Sequence, residues 1–126
     1  MDLLLDTHAF IWWDSSDGQL GAAPSAAIAD SANRIFVSAA SIWEIAVKQK
    51  LGRLAFTGSP ARAVVRNGFL PLSISGDHAE AAAELPPIHQ DPFDRILVAQ
   101  ALARRLVLVT ADSHIGRYAV PQLWAR

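Results

Sequence analysis

Apolar residues along this chain of 126 residues fall into short continuous runs, separated by longer segments in which apolar and polar positions recur with helical spacing. A short continuous apolar run is typical of a strand covered on both faces, whereas recurrence every three and four residues is typical of an amphipathic helix. The runs, with one short segment near the end, predict strands over residues 3–5, 35–37, 69–75, 106–109 and 123–124.

Helices are predicted between these strands. Gly52 and Gly68 end two of them, Pro60 lies in a first turn, and Pro86 follows the end of another. The predicted helices cover residues 9–13, 22–32, 59–67, 77–85 and 91 to 104 or 105, with one more that begins between 38 and 41 and runs to 51. This alternation indicates an α/β fold with a central, mainly parallel sheet of four to five strands. Because no repeat, low-complexity tract or linker interrupts it, we expect one domain over residues 1–126.

Composition narrows the class of protein. With 52% hydrophobic and 18% charged residues, the chain does not resemble a disordered or fibrous protein. The lack of cysteine excludes disulfides and thiolate metal sites and is compatible with a reducing cytoplasm. The apolar N-terminal segment contains Asp2 and Asp6 and has neither the charge pattern of a signal peptide nor the length of a membrane span. We therefore expect a soluble, cytoplasmic protein that does not associate with membranes.

Charge is unevenly distributed, although the net charge is only −1. Residues 45–76 include no acid, and their basic members are Lys48, Lys50, Arg53, Arg62 and Arg66. This segment is either a solvated basic face or a basic rim that attracts a polyanion toward an acidic centre.

Four acidic residues follow strands in the predicted fold. Asp6 comes after the first strand, and Glu44 lies near the start of the helix after the second. Asp94 lies in the first turn of its helix, and Asp112 follows the strand over residues 106–109. Ligands of open parallel sheets bind beyond the carboxyl ends of the strands. All four acids are therefore candidates for one edge of the sheet.

Each acid also has a purely structural interpretation. Asp6 could cap the helix that follows it, and Asp112 could begin a turn. Ser41 and Glu44 have the spacing of a capping box.

Asp91 and Asp94 could likewise either begin a helix or bind a metal ion. Asp91, Pro92 and Asp94 match the N-cap, N1 and N3 positions of a helix, where acids favour the helix dipole. We expect the two aspartates to divide the roles, with Asp91 as the cap and Asp94 directed toward the other acids.

Carboxylates that converge on one cleft repel one another and raise each other's pKa, and a divalent cation removes that penalty. A site made only of carboxylate oxygen selects hard ions such as Mg²⁺ or Mn²⁺ over zinc. Such a cation is suited to phosphoryl chemistry, with a carboxylate outside its coordination shell accepting a proton from water.

The segments that carry these acids resemble the four acidic motifs of PIN-domain ribonucleases, and most closely those of the VapC-type toxins of bacterial toxin–antitoxin pairs. They are, in chain order, LLLDTHAFIWW, SAASIWEIAVKQKLG, DPFDRILVAQA and LVTADSHI. The resemblance extends from residue 3 to about residue 124, without departure at the acidic positions. It implies a PIN-like three-layer α/β/α fold and a metal-dependent endoribonuclease that uses Mg²⁺, or Mn²⁺ as a substitute.

The resemblance also implies roles for individual residues. Asp6, Glu44, Asp94 and Asp112 correspond to the family's acidic quartet, with Asp6 and Asp94 as direct metal ligands and the other two binding directly or through water. Thr7 and Thr110 correspond to hydroxyl positions beside the acids. They would orient ligands or water, or serve as ordinary caps and turn residues.

Partners follow from the same resemblance. Similar proteins cut single-stranded or looped RNA, leaving a 5′-phosphate and a 3′-hydroxyl. They form homodimers and are held inactive in hetero-oligomers by a small VapB-type antitoxin, whose tail covers the acidic groove and presents a basic residue to it. The candidates for contact with RNA or phosphate are Arg95, Lys48, Lys50 and Arg53, with a surface ion pair as the alternative for Arg95.

Other classes fit the sequence less well. A phosphoacceptor receiver domain needs an acidic pair after the first strand, where Thr7 follows Asp6, and a lysine after the last core strand, where none occurs. A haloacid-dehalogenase-type phosphatase needs a second aspartate where His8 stands. A metal-independent ribonuclease that uses two histidines and a non-catalytic binding domain remain as alternatives. The histidines lack the spacing of zinc ligands, and none is assigned to catalysis.

Overall fold

The computed structural model describes residues 1–126 and contains one five-stranded sheet. Its strands are β1 (Asp2–Leu5), β2 (Arg34–Ser38), β3 (Leu70–Leu72), β4 (Val107–Thr110) and β5 (Gln122–Trp124). They lie in the order β3-β2-β1-β4-β5, and every neighbouring pair is parallel. The predicted parallel sheet is confirmed, with β1 at its centre.

Six α-helices connect and cover the strands. They are α1 (Thr7–Ser15), α2 (Ala22–Ala29), α3 (Ala39–Lys50), α4 (Pro60–Arg66), α5 (Gly76–Glu84) and α6 (Pro92–Arg104). A single 3₁₀ turn at Ile115–Arg117 lies between β4 and β5. None of these helices combines the length and the apolar character that crossing a bilayer requires.

Side chains that alternate along β1 divide the core into two clusters, one on each face of the sheet. Leu3 and Leu5 belong to the cluster that contains Phe10 of α1, and this cluster also includes buried residues of α2 and α4. Leu4 belongs to the other cluster, together with Leu97 of α6. Helices therefore cover both faces, and the three-layer α/β/α arrangement is confirmed.

The register of the central strands determines where the site can form. Leu5, the last residue of β1, pairs with Val37 of β2 and with Val109 of β4. Because parallel strands end at the same edge, Asp6 and the loop that carries Asp112 leave the sheet side by side.

The helix α2 is shorter than predicted and ends at Ala29 instead of residue 32. Asp30 has an extended backbone, and its carboxylate accepts a hydrogen bond from the N–H of Ala32 at 2.9 Å. This local turn competes with the helix, as short polar side chains commonly do.

The strand β3 has three residues, whereas the prediction covered residues 69–75. It lies at one edge of the sheet and pairs only with residues 36–38 of β2. Beyond Leu72 the chain leaves the sheet to reach Ser75, which caps α5. The apolar run therefore overestimated the strand because Ile74 lies in the connection and is 39% exposed.

We expect Leu4→Ala to lower the free energy of unfolding by about 3 kcal/mol, because it opens a cavity in the fully buried centre of the sheet. Leu102 of α6 is 45% exposed, so the matched change Leu102→Ala should cost less than about 0.5 kcal/mol. Chemical denaturation of both variants measures the difference. Equal losses would contradict the central position of β1.

Candidate active site

A cavity of about 320 Å³ opens at the carboxyl edge of the central strands. All four acids of the predicted quartet line it, and Asp91 adds a fifth carboxylate. Its complete lining is Asp6, Thr7, His8, Trp12, Glu44, Lys48, His89, Asp91, Asp94, Ala111, Asp112 and Arg126. The structure therefore brings together acids from four separate segments of the chain.

Asp6 both caps a helix and lines the cavity. Its Oδ1 accepts a hydrogen bond from the N–H of Ala9 at 2.8 Å, which begins α1. Its own N–H donates to the carbonyl of Val109 at 3.0 Å, which ties it to β4. Burial raises the pKa of Asp6, against the opposing effect of the Ala9 N–H and the Thr110 hydroxyl.

Glu44 lies in α3 and is 4% exposed. Its Oε1 accepts from the Thr7 hydroxyl at 2.6 Å, and its Oε2 accepts from the Lys48 ammonium at 2.6 Å. The interpretation of Ser41 and Glu44 as a capping box is wrong, because Ser38 caps α3 and Ser41 lies inside the helix. The Ser41 hydroxyl lies instead 3.0 Å from the Thr7 hydroxyl, so it helps to seat the residue that holds Glu44.

The start of α6 matches the predicted division between Asp91 and Asp94. Asp91 is the N-cap, and its Oδ1 accepts from the N–H of Phe93 at 2.8 Å. Pro92 occupies the first helical position, and Asp94 lies in the first turn. The cap thus determines where Asp94 leaves the helix.

Asp94 lies in the first turn of α6, and its pKa is strongly raised. Burial, followed by the charges of Asp91, Asp6 and Glu44, raises its pKa to about 7, although His89 acts in the opposite direction. A pKa raised in this way indicates a buried carboxylate whose neighbouring negative charges are poorly compensated.

Asp112 lies on the loop after β4 and behaves differently. Its Oδ1 accepts from the N–H groups of His114 at 2.7 Å and Ile115 at 3.2 Å, while its own N–H donates to the Thr110 hydroxyl. Burial acts to raise its pKa, but the Ile115 N–H, His89 and the His114 N–H outweigh burial and hold the pKa of Asp112 below its ordinary value. Asp112 is therefore ionised at a pH where Asp94 is largely protonated.

His89 is a residue of the cavity that the sequence patterns do not identify. Its Nε2 lies 3.0 Å from Oδ2 of Asp94 and 3.2 Å from Oδ2 of Asp112. The spacing of the histidines did not indicate a role for His89, because its partners in the cavity are the carboxylates of Asp94 and Asp112 and not other histidines. The available signal is the position of His89 two residues before the cap residue Asp91, where its ring can meet the Asp91 N–H.

Arg126 is the second cavity residue without a sequence signal. Its guanidinium lies 5.4 Å from the ring centroid of Trp12, within cation–π range. The preceding residue is held in place by a hydrogen bond from the N–H of Gly21 to the carbonyl of Ala125 at 2.8 Å. Only the tertiary fold brings this arginine to the acidic edge.

The predicted basic contacts have different outcomes. Lys48 lines the cavity, with its ammonium paired to Glu44. Lys50 and Arg53 are exposed and lie outside the cavity lining. Within the basic segment Arg66 pairs with Asp14 at 3.1 Å, so the segment is not a uniform basic rim.

Arg95 forms no surface ion pair, and its proposed contact with phosphate stays a prediction. Arg95 is not part of the cavity lining, and its guanidinium forms hydrogen bonds within the protein. It donates to the Tyr118 hydroxyl and to backbone carbonyls at both ends of the loop before α6. These carbonyls belong to Ala82, Ala83, Leu85, Pro86 and His89. Arg95 therefore stabilises that loop.

The donors of the cavity fit a hard divalent cation. Five carboxylates face Lys48 and Arg126, so cationic side chains offset only part of the negative charge. After burial, the charges of neighbouring acids contribute to the raised pKa of Asp94, in keeping with this imbalance. Oxygen donors from carboxylates suit Mg²⁺ or Mn²⁺.

The PIN-domain family profile matches residues 3–121. The chain belongs to the PIN-domain family. Ribonuclease VapC22 of Mycobacterium tuberculosis (strain ATCC 25618 / H37Rv) is 29% identical over 123 residues, which cover 95% of this chain and 94% of that protein. The predicted resemblance to VapC-type PIN proteins is confirmed.

Solved structures agree on the PIN fold. A toxin–antitoxin complex from Klebsiella pneumoniae matches with a TM-score of 0.69 and 22% identity, over 97% of this chain and 96% of that chain. VapBC2 from Rickettsia felis, bound to a DNA fragment from its promoter, matches with a TM-score of 0.69 and 15% identity, over 98% of both chains. The likeness holds over nearly the whole length of each chain.

The pKa of about 7 at Asp94 makes the stability of the metal-free PIN domain depend on pH. The unfolded chain keeps the ordinary value of 3.8, so between these values the folded protein holds a proton that the unfolded chain releases. We expect the melting temperature to rise by about 5 °C as the pH falls from about 8 to about 5. Thermal denaturation in a chelator measures it.

Asp94→Asn should remove most of this rise, and Asp17→Asn, at an exposed aspartate, should leave it unchanged. The part due to Asp6 should persist in both variants. Metal-free protein that loses stability over the same interval of pH would contradict the raised pKa of Asp94.

Proposed function

We propose that this PIN protein is a metal-dependent endoribonuclease and the toxin of a VapBC-type toxin–antitoxin module. The observation that carries the proposal is the convergence of Asp6, Glu44, Asp94 and Asp112 in one cavity of a PIN fold. Similarity to a protein named ribonuclease VapC22 supports the class of activity. The two structural neighbours, one described as a toxin–antitoxin complex and one as VapBC2, support an antitoxin partner.

The proposed cofactor is Mg²⁺, with Mn²⁺ as a substitute. Held among these carboxylates, the cation would supply charge neutralisation and Lewis-acid activation of water and of the phosphodiester. Asp6 and Asp94 are the proposed direct ligands, because a cation would favour the ionised form that burial now disfavours in both. Both oxygens of Glu44 and of Asp112 already accept hydrogen bonds, so these two acids are proposed to act directly or through water.

The proposed reaction is hydrolysis of an RNA phosphodiester that leaves a 5′-phosphate and a 3′-hydroxyl. A carboxylate that does not bind the cation directly accepts the proton of the attacking water. Thr7 and Thr110 orient carboxylates, since Thr7 donates to Glu44 and the hydroxyl of Thr110 acts on Asp6.

Phosphate contacts are proposed for the cations at the cavity. Arg126 lies over Trp12 at the cavity and has no ion-pair partner, so its guanidinium is available to a phosphate. The Lys48 ammonium, which is paired with Glu44, is proposed as a second contact for phosphate. Lys50 and Arg53 are exposed and would add a peripheral, salt-sensitive attraction for RNA.

The proposed assembly is a homodimer, held in a hetero-oligomer by the antitoxin. An apolar stripe on α3 supports a second copy as one partner: Trp43 is 63% exposed, Val47 36% and Leu51 58%, each one turn apart. The acidic cavity supports an antitoxin tail that inserts a basic residue. We place the protein, as a single domain of residues 1–126, in the cytoplasm.

We expect Asp94→Asn to lower the rate of RNA cleavage at least about 100-fold, since it removes a charged ligand of the cation. Asp91→Asn should lower it less than about 5-fold, because asparagine also caps helices well. Cleavage of a single-stranded RNA with Mg²⁺ present measures both. Equal losses would contradict the division of roles between the two aspartates.

Metal dependence has a separate test. EDTA should abolish cleavage by the unmodified protein, and added Mg²⁺ or Mn²⁺ should restore it. Cleavage that persists in EDTA would favour the metal-independent histidine ribonuclease instead. No cleavage under any of these conditions would favour a non-catalytic domain.

Toxicity tests the biological assignment. We expect expression of the chain to arrest growth, and co-expression of the short open reading frame just upstream to relieve the arrest. Asp94→Asn should not arrest growth. Unimpaired growth and intact RNA in cells that express the unmodified protein would contradict the toxin assignment.

A further inference from the structure

The imidazole of His89 lies between two acids that come from different parts of the fold. Its Nε2 is 3.0 Å from Oδ2 of Asp94, on α6, and 3.2 Å from Oδ2 of Asp112, on the loop after β4. The His89 side chain is 13% exposed. The His89 ring is the side chain that touches both carboxylates, while Arg95 of α6 and Tyr118 join the same two segments farther from the acids at 3.3 Å.

The other ring nitrogen determines which atom carries the proton. The backbone N–H of Asp91 donates to Nδ1 of His89 at 3.2 Å, so Nδ1 presents its lone pair. The neutral ring therefore has its proton on Nε2, the nitrogen that faces the acids. From there it donates to Oδ2 of Asp112. Asp91 therefore has two roles: its side chain caps α6, and its backbone N–H determines the tautomer of His89.

The backbone of His89 is fixed as well. Its N–H donates to the Tyr118 hydroxyl at 3.0 Å, and its carbonyl accepts from Arg95 at 3.2 Å. The Tyr118 hydroxyl in turn donates to the carbonyl of Pro86 at 2.8 Å. The loop before α6, which has no regular secondary structure, is thus held at both ends, and the hydrogen bonds of Arg95 contribute to this.

We propose that His89 is a positioning residue of the active site, whose Nε2–H holds Asp112 beside Asp94 at the separation that the cation requires. The inference rests on the proposed function. His89 does not itself bind the cation or the RNA. It acts through the two carboxylates, as hydrogen-bond partners behind metal ligands commonly do.

A role as metal ligand is the competing assignment. His89, Asp112 and His114 each offer a donor atom, and these atoms lie within 4.8 Å of one another. However, a neutral ring that binds a cation through Nε2 needs its proton on Nδ1, where the Asp91 N–H already points. The side chain of His114 is 58% exposed, so this grouping is open to solvent. The hydrogen-bond role therefore fits the contacts better.

Paired substitutions at His89 test the proposal. His89→Leu keeps apolar volume and removes the donor, whereas His89→Gln retains an N–H at a similar reach. We expect His89→Leu to weaken Mn²⁺ binding, measured by electron paramagnetic resonance, about 10-fold or more and to lower kcat similarly with KM for RNA little changed. His89→Gln should recover most of both. Thermal denaturation should show that the variants remain folded.

His114→Leu is the matched control, because the His114 backbone N–H donates to Asp112 at 2.7 Å, whereas its exposed ring lies 3.6 Å from that carboxylate, beyond hydrogen-bond distance. It should leave Mn²⁺ affinity unchanged. Weakening by His114→Leu equal to that by His89→Leu would overturn the proposal in favour of the metal-ligand role. Unchanged Mn²⁺ affinity and kcat in His89→Leu would overturn it as well.

Nuclear magnetic resonance of histidine labelled with ¹⁵N provides a measurement on the unmodified protein. We expect His89 to keep its proton on Nε2 both without metal and with Mg²⁺. A switch to the Nδ1–H form when Mg²⁺ is added would overturn the proposal. Unmodified protein that neither binds Mn²⁺ nor cleaves RNA would overturn the proposed function itself, and normal binding and cleavage with an unaffected His89→Leu would overturn this inference alone.

Discussion

Electrostatic repulsion among five carboxylates at one edge of a parallel sheet is the constraint on which the rest of this structure depends. Buried like charges raise each other's pKa and oppose folding, so each acid must be held by other interactions. Asp6 is held because it caps α1, and Asp91 because it caps α6. Glu44 is held by Thr7 and Lys48. The repulsion and burial that remain uncompensated raise the pKa of Asp94 to about 7, and burial also raises that of Asp6.

The fold offsets part of this repulsion through strand ends and helix N-termini that are present in any parallel α/β sheet. Parallel strands end at one edge, and the helices that follow them begin there with free N–H groups that favour negative charge. The same geometry that stabilises a helix terminus therefore delivers a carboxylate to the cavity. An acid can cap a helix and line the cavity at the same time, because the Asp6 side chain does both.

The central elements and the acids could be predicted from sequence because their signals are local. Continuous apolar runs identify buried strands, and the order Asp-Pro-x-Asp identifies the start of α6. His89, Arg95 and Arg126 could not be assigned in this way, since their partners are backbone groups and side chains brought near only by the tertiary fold. The two interpretations of the basic segment stayed open for the same reason, because a run of basic residues does not reveal which of them pair with acids, as Arg66 does with Asp14.

Coupling between cation binding and the protonation of Asp94 is the most direct test of the account. Calorimetric titration of the protein with Mg²⁺ at about pH 6, repeated in buffers of different ionisation enthalpy, counts the protons released. Below the Asp94 pKa of about 7, binding should release close to one proton from Asp94, in addition to any that Asp6 holds, and Asp94→Asn should release about one fewer. Binding of Mg²⁺ to the unmodified protein without proton release, or no binding at all, would contradict the claim that these carboxylates are gathered to hold a cation.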